Sequence, residues 1–344
     1  MSVVASGLDR ARFEPSLCLF RDERTYRLAD DVAVHIVERT RPWQIPIAVT
    51  RLASLIDRAR PDIVFSAFSH PSFMTGNALV LARHRPRWVA RISSDPDSVE
   101  RGVLRAWMRR LYQMADAIVA NSNELGRLFE SAYPDAAPPV FIANAVDFDF
   151  LERQSRQDAT LARPGRRRIV AVGRLSPEKR FDLLLRATAR VADQHDVEVV
   201  ICGEGRERAR LEKLGRELGL EDRLRLPGFV ANPHAWMASA DVFVLCSDTE
   251  GAPNALIEAQ GLGVAAVATD CPTGPREITD GGRTGRLVPT GDVDALAAAV
   301  AELLDDSEQR RALASAGRER VREQFDAVAV CRHLEEVLDR VSRG

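Results

Sequence analysis

The chain has 344 residues, 45% of them hydrophobic, and a formal net charge of −2. Residues 1–150 carry 19 arginines against 18 acidic residues, so this half lacks the basic surplus of a nucleic-acid-binding protein, and the more acidic remainder lacks it too. The five cysteines are widely spaced, which argues against a disulfide framework and against a zinc site. No apolar run approaches the ~20 residues of a membrane span. We therefore expect a two-domain cytoplasmic protein that is at most peripheral on a membrane.

In the first half, short β-branched runs alternate with amphipathic segments, a pattern typical of a parallel sheet with crossover helices. The predicted strands are 14–20, 32–37, 62–66, 88–92, 117–120 and 140–142. A helix over about 100–114 has apolar residues on one face, namely Leu104, Trp107, Met108, Leu111 and Tyr112. Its four arginines form a basic face. Packing against the core with a solvated face is the favoured interpretation, and docking on anionic lipid is the alternative.

The first residues are unusual for such a domain. Residues 2–6 resemble the end of a helix, with Gly7 as its C-terminal cap. A doubly wound domain normally begins with a strand, a turn and then a helix. We therefore expect the first domain to be incomplete, without its first strand and turn.

The second half repeats the alternating pattern. Apolar periodicity disappears over 155–168, which predicts a linker. Further predicted strands are 168–172, 198–202, 224–226, 242–245, 265–268 and 286–288, and helices close the chain at about 292–305, 307–321 and 325–342. The sequence thus predicts two doubly wound α/β domains, 1–160 and 161–324, with 325–344 as a C-terminal helix that packs back toward the first. Ligands of such sheets bind beyond the carboxyl ends of the strands, so we expect a site in the cleft between the domains.

The first candidate binding loop follows the strand 168–172 and contains Gly173, Arg174 and Lys179. Gly173 lets the chain turn close to a ligand. The two cations suit a pyrophosphate, whose oxygens accept charge-assisted hydrogen bonds. Lys179 is one of only two lysines among 48 basic residues, which favours a need for a compact point charge. Ordinary solvated surface charges are the alternative.

Two more loops follow predicted strands. Gly203 and Gly205 resemble the start of a dinucleotide-binding fingerprint, but Arg208 stands where the third glycine belongs, so a tight strand-to-helix turn explains them equally well. The loop at Phe229 and Val230 offers backbone groups to the edge of a base. A simple surface turn is its alternative interpretation.

The fourth loop, residues 247–258, is the most specific. Glu250 precedes a helix and Glu258 lies within it, so two carboxylates approach one site from different levels and suit a polyhydroxyl ligand. The helix N-terminus between them offers N–H groups to an anion. That opening comprises Gly251, Ala252, Pro253, Asn254 and Ala255. The alternative is a capping acid followed by a solvated helix acid.

Together, Arg174-x4-Lys179 and Glu250-x7-Glu258, followed by ATDCPTGPREI and GRLVPTGD, resemble the retaining GT-B glycosyltransferases of family 4. The bacterial hexosyltransferases of polysaccharide and glycan assembly are the most similar subset. The resemblance implies two Rossmann-like domains facing across a cleft, a nucleotide sugar (most often a UDP-sugar) as co-substrate, retention, and no metal or other cofactor. It also implies that Arg174 and Lys179 hold the donor diphosphate, that Glu258 binds the ribose, that Glu250 contacts the sugar, and that the segment 229–230 takes the base.

Some residues and functions stay open. The possible acceptor-side residues are His70, Asp95 and Asn121, although a bystander histidine and a helix-capping carboxylate explain the first two more simply. The DxD at Asp147 is likewise expected to cap a helix. The acceptor is expected to be a glycan, a lipid-linked molecule or a small molecule. The competing functions are a degenerate nucleotide-sugar-binding protein, favoured by the missing strand, and a GT-B epimerase or phosphorylase. A phosphorylase needs a cofactor lysine, for which only Lys213 remains.

Overall fold

The computed structural model describes residues 2–20, 28–37, 44–157 and 165–343, without the side chains of residues 98 and 99. The chain forms two compact units, Met1–Ala145 with Ala327–Gly344, and Val146–Asp326. Both units are α/β with parallel strands, which confirms the predicted fold class. Every predicted strand is present, with its ends shifted by no more than a few residues.

The described residues of unit 1 form six strands in two sheets. Its strands are β1 (Ser16–Leu19), β2 (Ala33–Ile36), β3 (Ile63–Ala67), β4 (Arg87–Ile92), β5 (Ala117–Ala120) and β6 (Pro139–Phe141). Its helices up to residue 145 are α1 (Ser2–Gly7), α2 (Ile45–Ala59), α3 (Ser69–Leu81), α4 (Pro96–Val99), α5 (Gly102–Tyr112) and α6 (Asn123–Ala132). Within the described residues, β1 pairs with β2 and the other four strands form a sheet in the order β3-β4-β5-β6. The absence of a first strand stays a prediction.

The core of unit 1 lies between the four-stranded sheet and helices α2, α3, α5 and α6. Alternate residues of β4, among them Trp88, point into it because side chains alternate across a strand. The prediction for α5 is wrong in part. Met108, Leu111 and Tyr112 are buried, but Leu104 and Trp107 are exposed.

Phe68, between β3 and α3, has φ 73° and ψ 154°, a region that essentially only glycine occupies. Its side chain is 57% exposed and therefore gains little from packing. We expect Phe68→Gly to be more stable than Phe68→Ala by about 1–3 kcal/mol, because only glycine relieves the strain. Equilibrium unfolding in urea measures the difference. Equal stability of the two variants would contradict the strain.

Unit 2 is built on one six-stranded parallel sheet in the order β12-β11-β10-β7-β8-β9. The strands are β7 (Arg167–Val172), β8 (Val197–Cys202), β9 (Leu224–Gly228), β10 (Val242–Leu245), β11 (Ala265–Thr269) and β12 (Arg286–Val288). The helices from α7 onward are α7 (Phe148–Ser155), α8 (Phe181–Ala192), α9 (Arg208–Glu217), α10 (Pro233–Ala238), α11 (Asn254–Gly261), α12 (Pro275–Ile278), α13 (Val293–Asp305), α14 (Ser307–Phe325) and α15 (Ala327–Arg343), of which α15 belongs to unit 1. Strands β8, β10 and β11 are buried along their whole length, as is typical of a parallel sheet covered on both faces.

The boundary between the units differs from the predicted position at residue 160. Helix α7 packs against α10 and α11, so the chain enters unit 2 already at Val146. Asp147 caps α7 by accepting a hydrogen bond from the Phe150 N–H at 2.8 Å, which accounts for the DxD sequence. Residues 158–164 of the predicted linker lie outside the described residues. At the other end of the chain, α15 contacts α1 and β4 within unit 1.

Candidate functional site

The strand order of unit 2 identifies the edge at which a ligand is expected. The chain runs from β7 outward through β8 to β9, and then crosses to the other side of β7 to form β10, β11 and β12. The order therefore reverses between β7 and β10. In open α/β sheets, the crevice at the carboxyl end of such a reversal is the usual binding site. The loops 173–180 and 246–253 leave the sheet at this point.

An ion pair joins these two loops. The Lys179 Nζ lies 2.6 Å from Oε1 of Glu250, and the Ser247 hydroxyl donates to the same oxygen at 2.6 Å. The Glu250 side chain is only 8% exposed. From the loop after β11, the Thr273 hydroxyl donates to the Glu250 carbonyl oxygen. Two of the predicted site residues, Lys179 and Glu250, are thus in direct contact, and residues from three loops take part in holding them.

Lys179 ends a short 3-10 helix, Pro177–Lys179, that is fixed from both sides. Arg180 follows it in the left-handed region at φ 49° and pairs with Asp248 at 3.0 Å and with Asp182 at 3.1 Å. These carboxylates raise the pKa of Arg180, and the largest cause is the hydrogen bond that Arg180 donates to Asp182. In addition, the Asp248 N–H donates to the Glu178 carbonyl at 2.9 Å. The backbone at Lys179 is therefore held in place independently of its own side chain.

Arg174 lies in the same loop but differs in its surroundings. Its side chain is exposed, and across the described parts of the chain no hydrogen bond or ion pair holds it. It is thus a cation at the crevice whose guanidinium is available to an incoming anion.

Gly203 and Gly205 lie where two loops cross. A Cβ atom on Gly203 would lie 1.9 Å from the Gly173 carbonyl oxygen, and one on Gly205 would lie 2.2 Å from the Leu175 carbonyl oxygen. The crossing backbones also hydrogen-bond, since the Leu175 N–H donates to the Glu204 carbonyl at 2.9 Å. Close packing of loops thus explains both glycines, and their contact with a donor stays a prediction.

Helix α11 opens beside the ion pair. Pro253 is the residue before its first turn rather than within it, with φ −70°, and its carbonyl accepts from the Leu256 N–H at 3.1 Å. The backbone at Gly274 packs closely against the preceding loop, since a Cβ atom on Gly274 would lie 2.6 Å from the Gly251 carbonyl oxygen. The segment 251–255 therefore presents the N-terminus of α11, with its positive dipole end, four residues beyond Glu250.

Glu258, on the second turn of α11, has a partner that the sequence did not reveal. The His234 Nε2 lies 3.4 Å from its Oε2. His234 is held at the start of α10, where the Asn232 side chain accepts from the His234 N–H at 3.2 Å, and its ring meets the Phe150 ring edge-on at 5.8 Å. Asn232 and Pro233 form a typical helix start, so the position of α10 was readable in the sequence, but its packing against α11 was not.

The predicted base-binding loop follows the edge strand β9. Phe229 is 69% exposed and Val230 is partly buried. Gly228 has φ 85°, which turns the chain out of the sheet so that the aromatic ring stands in solvent. This loop leaves the same carboxyl edge of the sheet as the ion pair, two strands away from β7.

Comparison with known proteins supports one family. The model for glycosyl transferases group 1 matches residues 152–320, and the model for glycosyltransferase family 4 matches residues 3–150. A GDP-mannose-dependent phosphatidylinositol monomannoside mannosyltransferase of Mycobacterium tuberculosis is 32% identical over 72% of this chain and 69% of its own length. The chain is a family 4 glycosyltransferase. An N-acetylgalactosaminyltransferase of Campylobacter jejuni that acts on a diphospho-undecaprenol-linked sugar is 27% identical to this chain. The match covers 93% of this chain and 90% of the relative.

Solved structures show the same fold. HepE of Anabaena, in complex with UDP-glucose, superimposes with a TM-score of 0.83 at 20% identity and covers 98% of this chain and 94% of its own. Sucrose-phosphate synthase of Thermosynechococcus elongatus gives a TM-score of 0.81 at 17% identity, over 98% and 91%. These neighbours confirm the predicted GT-B fold of the transferase.

The cysteines beside the site are not activated as thiolate nucleophiles. Burial raises the pKa of Cys246 and of Cys271 to about 12, so both thiols stay protonated near neutral pH. Within the described ranges, no group of three or more His, Cys, Asp or Glu side chains is arranged to hold a metal ion. Nor does any helix in those ranges have the length and apolar character to cross a membrane.

The three acceptor-side candidates of the transferase follow neighbouring strands of unit 1. His70 is exposed in the first turn of α3, with its ring 6.3 Å from that of Phe20. Asp95 accepts from the Asp97 N–H at 3.0 Å and caps α4, one helix earlier than expected. Asn121 is buried after β5, and its Oδ1 has no hydrogen-bond partner among the described residues. They share the carboxyl edge of the sheet β3-β4-β5-β6. Their contact with an acceptor stays a prediction.

Proposed function

We propose that this transferase moves a hexose from a nucleotide-diphosphate sugar to a glycan, lipid-linked or small-molecule acceptor, with retention and without a divalent metal. A UDP-sugar is the favoured donor. The observation that carries the proposal is the contact between Lys179 and Glu250 at the point where the strand order reverses. Beside it lie the exposed Arg174 and the N-terminus of α11.

In this proposal, the diphosphate is neutralised by protein groups alone. Arg174 and Lys179 donate charge-assisted hydrogen bonds to its oxygens, and the dipole of α11 points its positive end at them. As the sugar leaves, negative charge builds on the diphosphate, and these fixed groups stabilise it more than they stabilise the ground state. The proposal therefore requires no divalent metal.

The two carboxylates then hold hydroxyl groups. When Lys179 donates to a phosphate oxygen instead of to Glu250, Oε1 of Glu250 becomes able to accept a hydrogen bond from a hydroxyl of the hexose. Ser247 still donates to the same oxygen. Glu258, oriented by His234, accepts from the ribose. Phe229 and Val230 lie against the base. In this proposal no side chain forms a covalent bond to the sugar, and the acceptor attacks from the face that the diphosphate leaves, which retains the anomeric configuration.

The relatives support the donor and acceptor classes. Solved structures of HepE contain UDP, glucose or UDP-glucose, whereas the mycobacterial relative is named for GDP-mannose. Two relatives are named for acceptors that carry an undecaprenol or a phosphatidylinositol, and two from Rhizobium meliloti for lipopolysaccharide core biosynthesis. We therefore favour polysaccharide or glycan assembly at the cytoplasmic side of the cell envelope, with peripheral membrane contact.

A thermal-shift panel tests the proposed donor class. UDP, GDP and ADP are added in EDTA, with the matching nucleosides as controls that lack the diphosphate. At 100 times its Kd, the correct nucleotide is expected to stabilise the protein by about 2.7 kcal/mol. No rise in melting temperature with any diphosphate would contradict the proposal. Binding without release of nucleotide from any nucleotide sugar would indicate the degenerate alternative, and the anomeric proton coupling of the product tests retention.

A further inference from the structure

Helix α5 carries an exposed apolar stripe even though the helix itself is firmly packed. Leu111 and Tyr112 are buried, and the Tyr112 hydroxyl donates to Oε1 of the buried Glu100 at 3.2 Å. On the outer side, Val103 is 82% exposed and Trp107 is 50% exposed. Because the inner face is held by the core, loose packing does not explain these exposed side chains. The surface itself is apolar.

Helix α3 extends this stripe. The Phe73 and Trp107 rings lie 6.0 Å apart, and one turn further along both helices a Cβ atom on Gly76 would lie 3.1 Å from the Leu111 side chain. The two helices therefore run in the same direction, and exposed apolar residues follow at their C-terminal ends, with Val80 in the last turn of α3 and Met114 two residues beyond α5. We call this surface the apolar face. Its residues are the exposed Val80, Val103, Trp107 and Met114 together with the partly buried Phe73.

The two chain segments that carry the apolar face have charged residues of one sign only. Residues 63–94 and 101–115 contain no Asp or Glu, and they contain eight arginines. Three of these are compensated from outside, since Arg105 pairs with Asp97, Arg87 lies 2.8 Å from Asp116 and Arg109 lies 3.9 Å from Asp135. Arg110, one turn from Trp107 and two turns from Val103, is exposed and has no ion pair within the described ranges. The apolar face is therefore bordered by uncompensated positive charge.

An anionic lipid surface fits this combination better than a protein does. Apolar and aromatic side chains enter the boundary between headgroups and acyl chains, while arginine reaches the phosphates from beside them. A second copy of the chain would bring the same arginines against each other, with no acidic residue in either helix to pair with them. The charge complementarity thus selects a bilayer that contains anionic lipid.

We infer that the apolar face docks the transferase on an anionic bilayer. This deepens the proposed function, since it gives the peripheral contact a surface and favours an acceptor held in the same membrane. Only that choice of acceptor rests on the proposed function. The docking itself depends on residues of α3 and α5, which take no part in the proposed donor site.

Flotation with lipid vesicles tests the inference on the full chain. Vesicles of phosphatidylcholine are compared with vesicles that also contain phosphatidylglycerol, at low and at high salt. The wild-type chain is expected to float only with the anionic vesicles, and less at high salt. The double variant Val103→Ser/Trp107→Ser is expected to lose this binding, and Arg110→Glu to weaken it by at least about fivefold. Val328→Ser, an exposed apolar residue of α15, is the matched control and is expected to bind as wild type does.

Each variant is also tested for the nucleotide-induced thermal shift, which separates this inference from the proposed function. A preserved shift with lost flotation supports docking through the apolar face. Unchanged flotation of Val103→Ser/Trp107→Ser would overturn the inference. Failure of the wild-type chain to bind anionic vesicles would overturn it as well. A dimer that the double variant dissociates, without any vesicle binding, would assign the face to a second copy and overturn it too.

Discussion

Lys179→Ala is expected to weaken UDP binding by about 10- to 100-fold, because a charge-assisted hydrogen bond contributes about 1.5–3 kcal/mol. Release of nucleotide from the sugar donor should fall further, by at least about 100-fold, since the lost cation stabilises charge that develops only as the sugar leaves. Calorimetric titration measures the first effect. Single-turnover release of nucleotide measures the second.

The chain offers a matched control for this variant. Lys213, the only other lysine, lies exposed on α9 and makes a pair with Glu217 at 3.6 Å. Lys213→Ala should therefore bind and turn over donor as wild type does.

Lys179→Ala also leaves the Glu250 carboxylate buried without its cation, a cost of about 1–3 kcal/mol in unfolding free energy. Lys179→Ala/Glu250→Gln should regain that stability without regaining turnover. Recovery of turnover in the double variant would show that Lys179 serves only to neutralise Glu250.

Glu258→Gln is expected to weaken UDP binding by about 10- to 100-fold, because the amide replaces a charged acceptor for the ribose hydroxyls with a neutral one. The decisive comparison uses 2′,3′-dideoxy-UDP. The wild-type chain should bind this analogue as weakly as the variant binds UDP. The variant should distinguish little between the two nucleotides, since the interaction is already lost.

Glu217→Gln, on the exposed surface of α9, is the control for the Glu258 variant. His234→Ala tests the positioning role separately. It should reduce the preference for UDP over the dideoxy analogue while retaining part of it, because Glu258 keeps its charge but loses the ring that orients it. A Glu258→Gln variant that still strongly prefers UDP over the dideoxy analogue would contradict the assignment of Glu258 to the ribose.

The strands of this fold were predictable because both sheets are parallel and covered. Runs such as 197–202 and 265–269 are apolar throughout, since their residues are buried on both faces. The binding loops could be placed for the same reason, as the loop after each such strand leaves the same edge of the sheet. The end of a strand and the residue types after it were therefore enough to select Lys179 and Glu250, which are in direct contact. The place of Glu258 in the same site stays a prediction.

Contacts between distant segments could not be predicted in this way. The pairing of His234 with Glu258 depends on how α10 packs against α11, and no local pattern encodes that packing. The boundary at Val146 has the same origin, because α7 packs on those helices. For α5, periodicity correctly indicated an amphipathic helix, but the width of its apolar face exceeds what the core covers. Trp107 is therefore exposed where burial was expected.

Hydrogen–deuterium exchange with UDP or GDP in EDTA tests the central claim most directly, because it locates the nucleotide without knowledge of the acceptor. The account predicts slower exchange in peptides that cover 173–181, 228–235 and 247–258, which leave the carboxyl edge of the sheet in unit 2. Exchange should be unchanged at the opposite edge, where Arg166, Asp196 and Arg225 line a cavity. Protection at that cavity instead, or protection nowhere with a nucleotide that binds, would contradict the account.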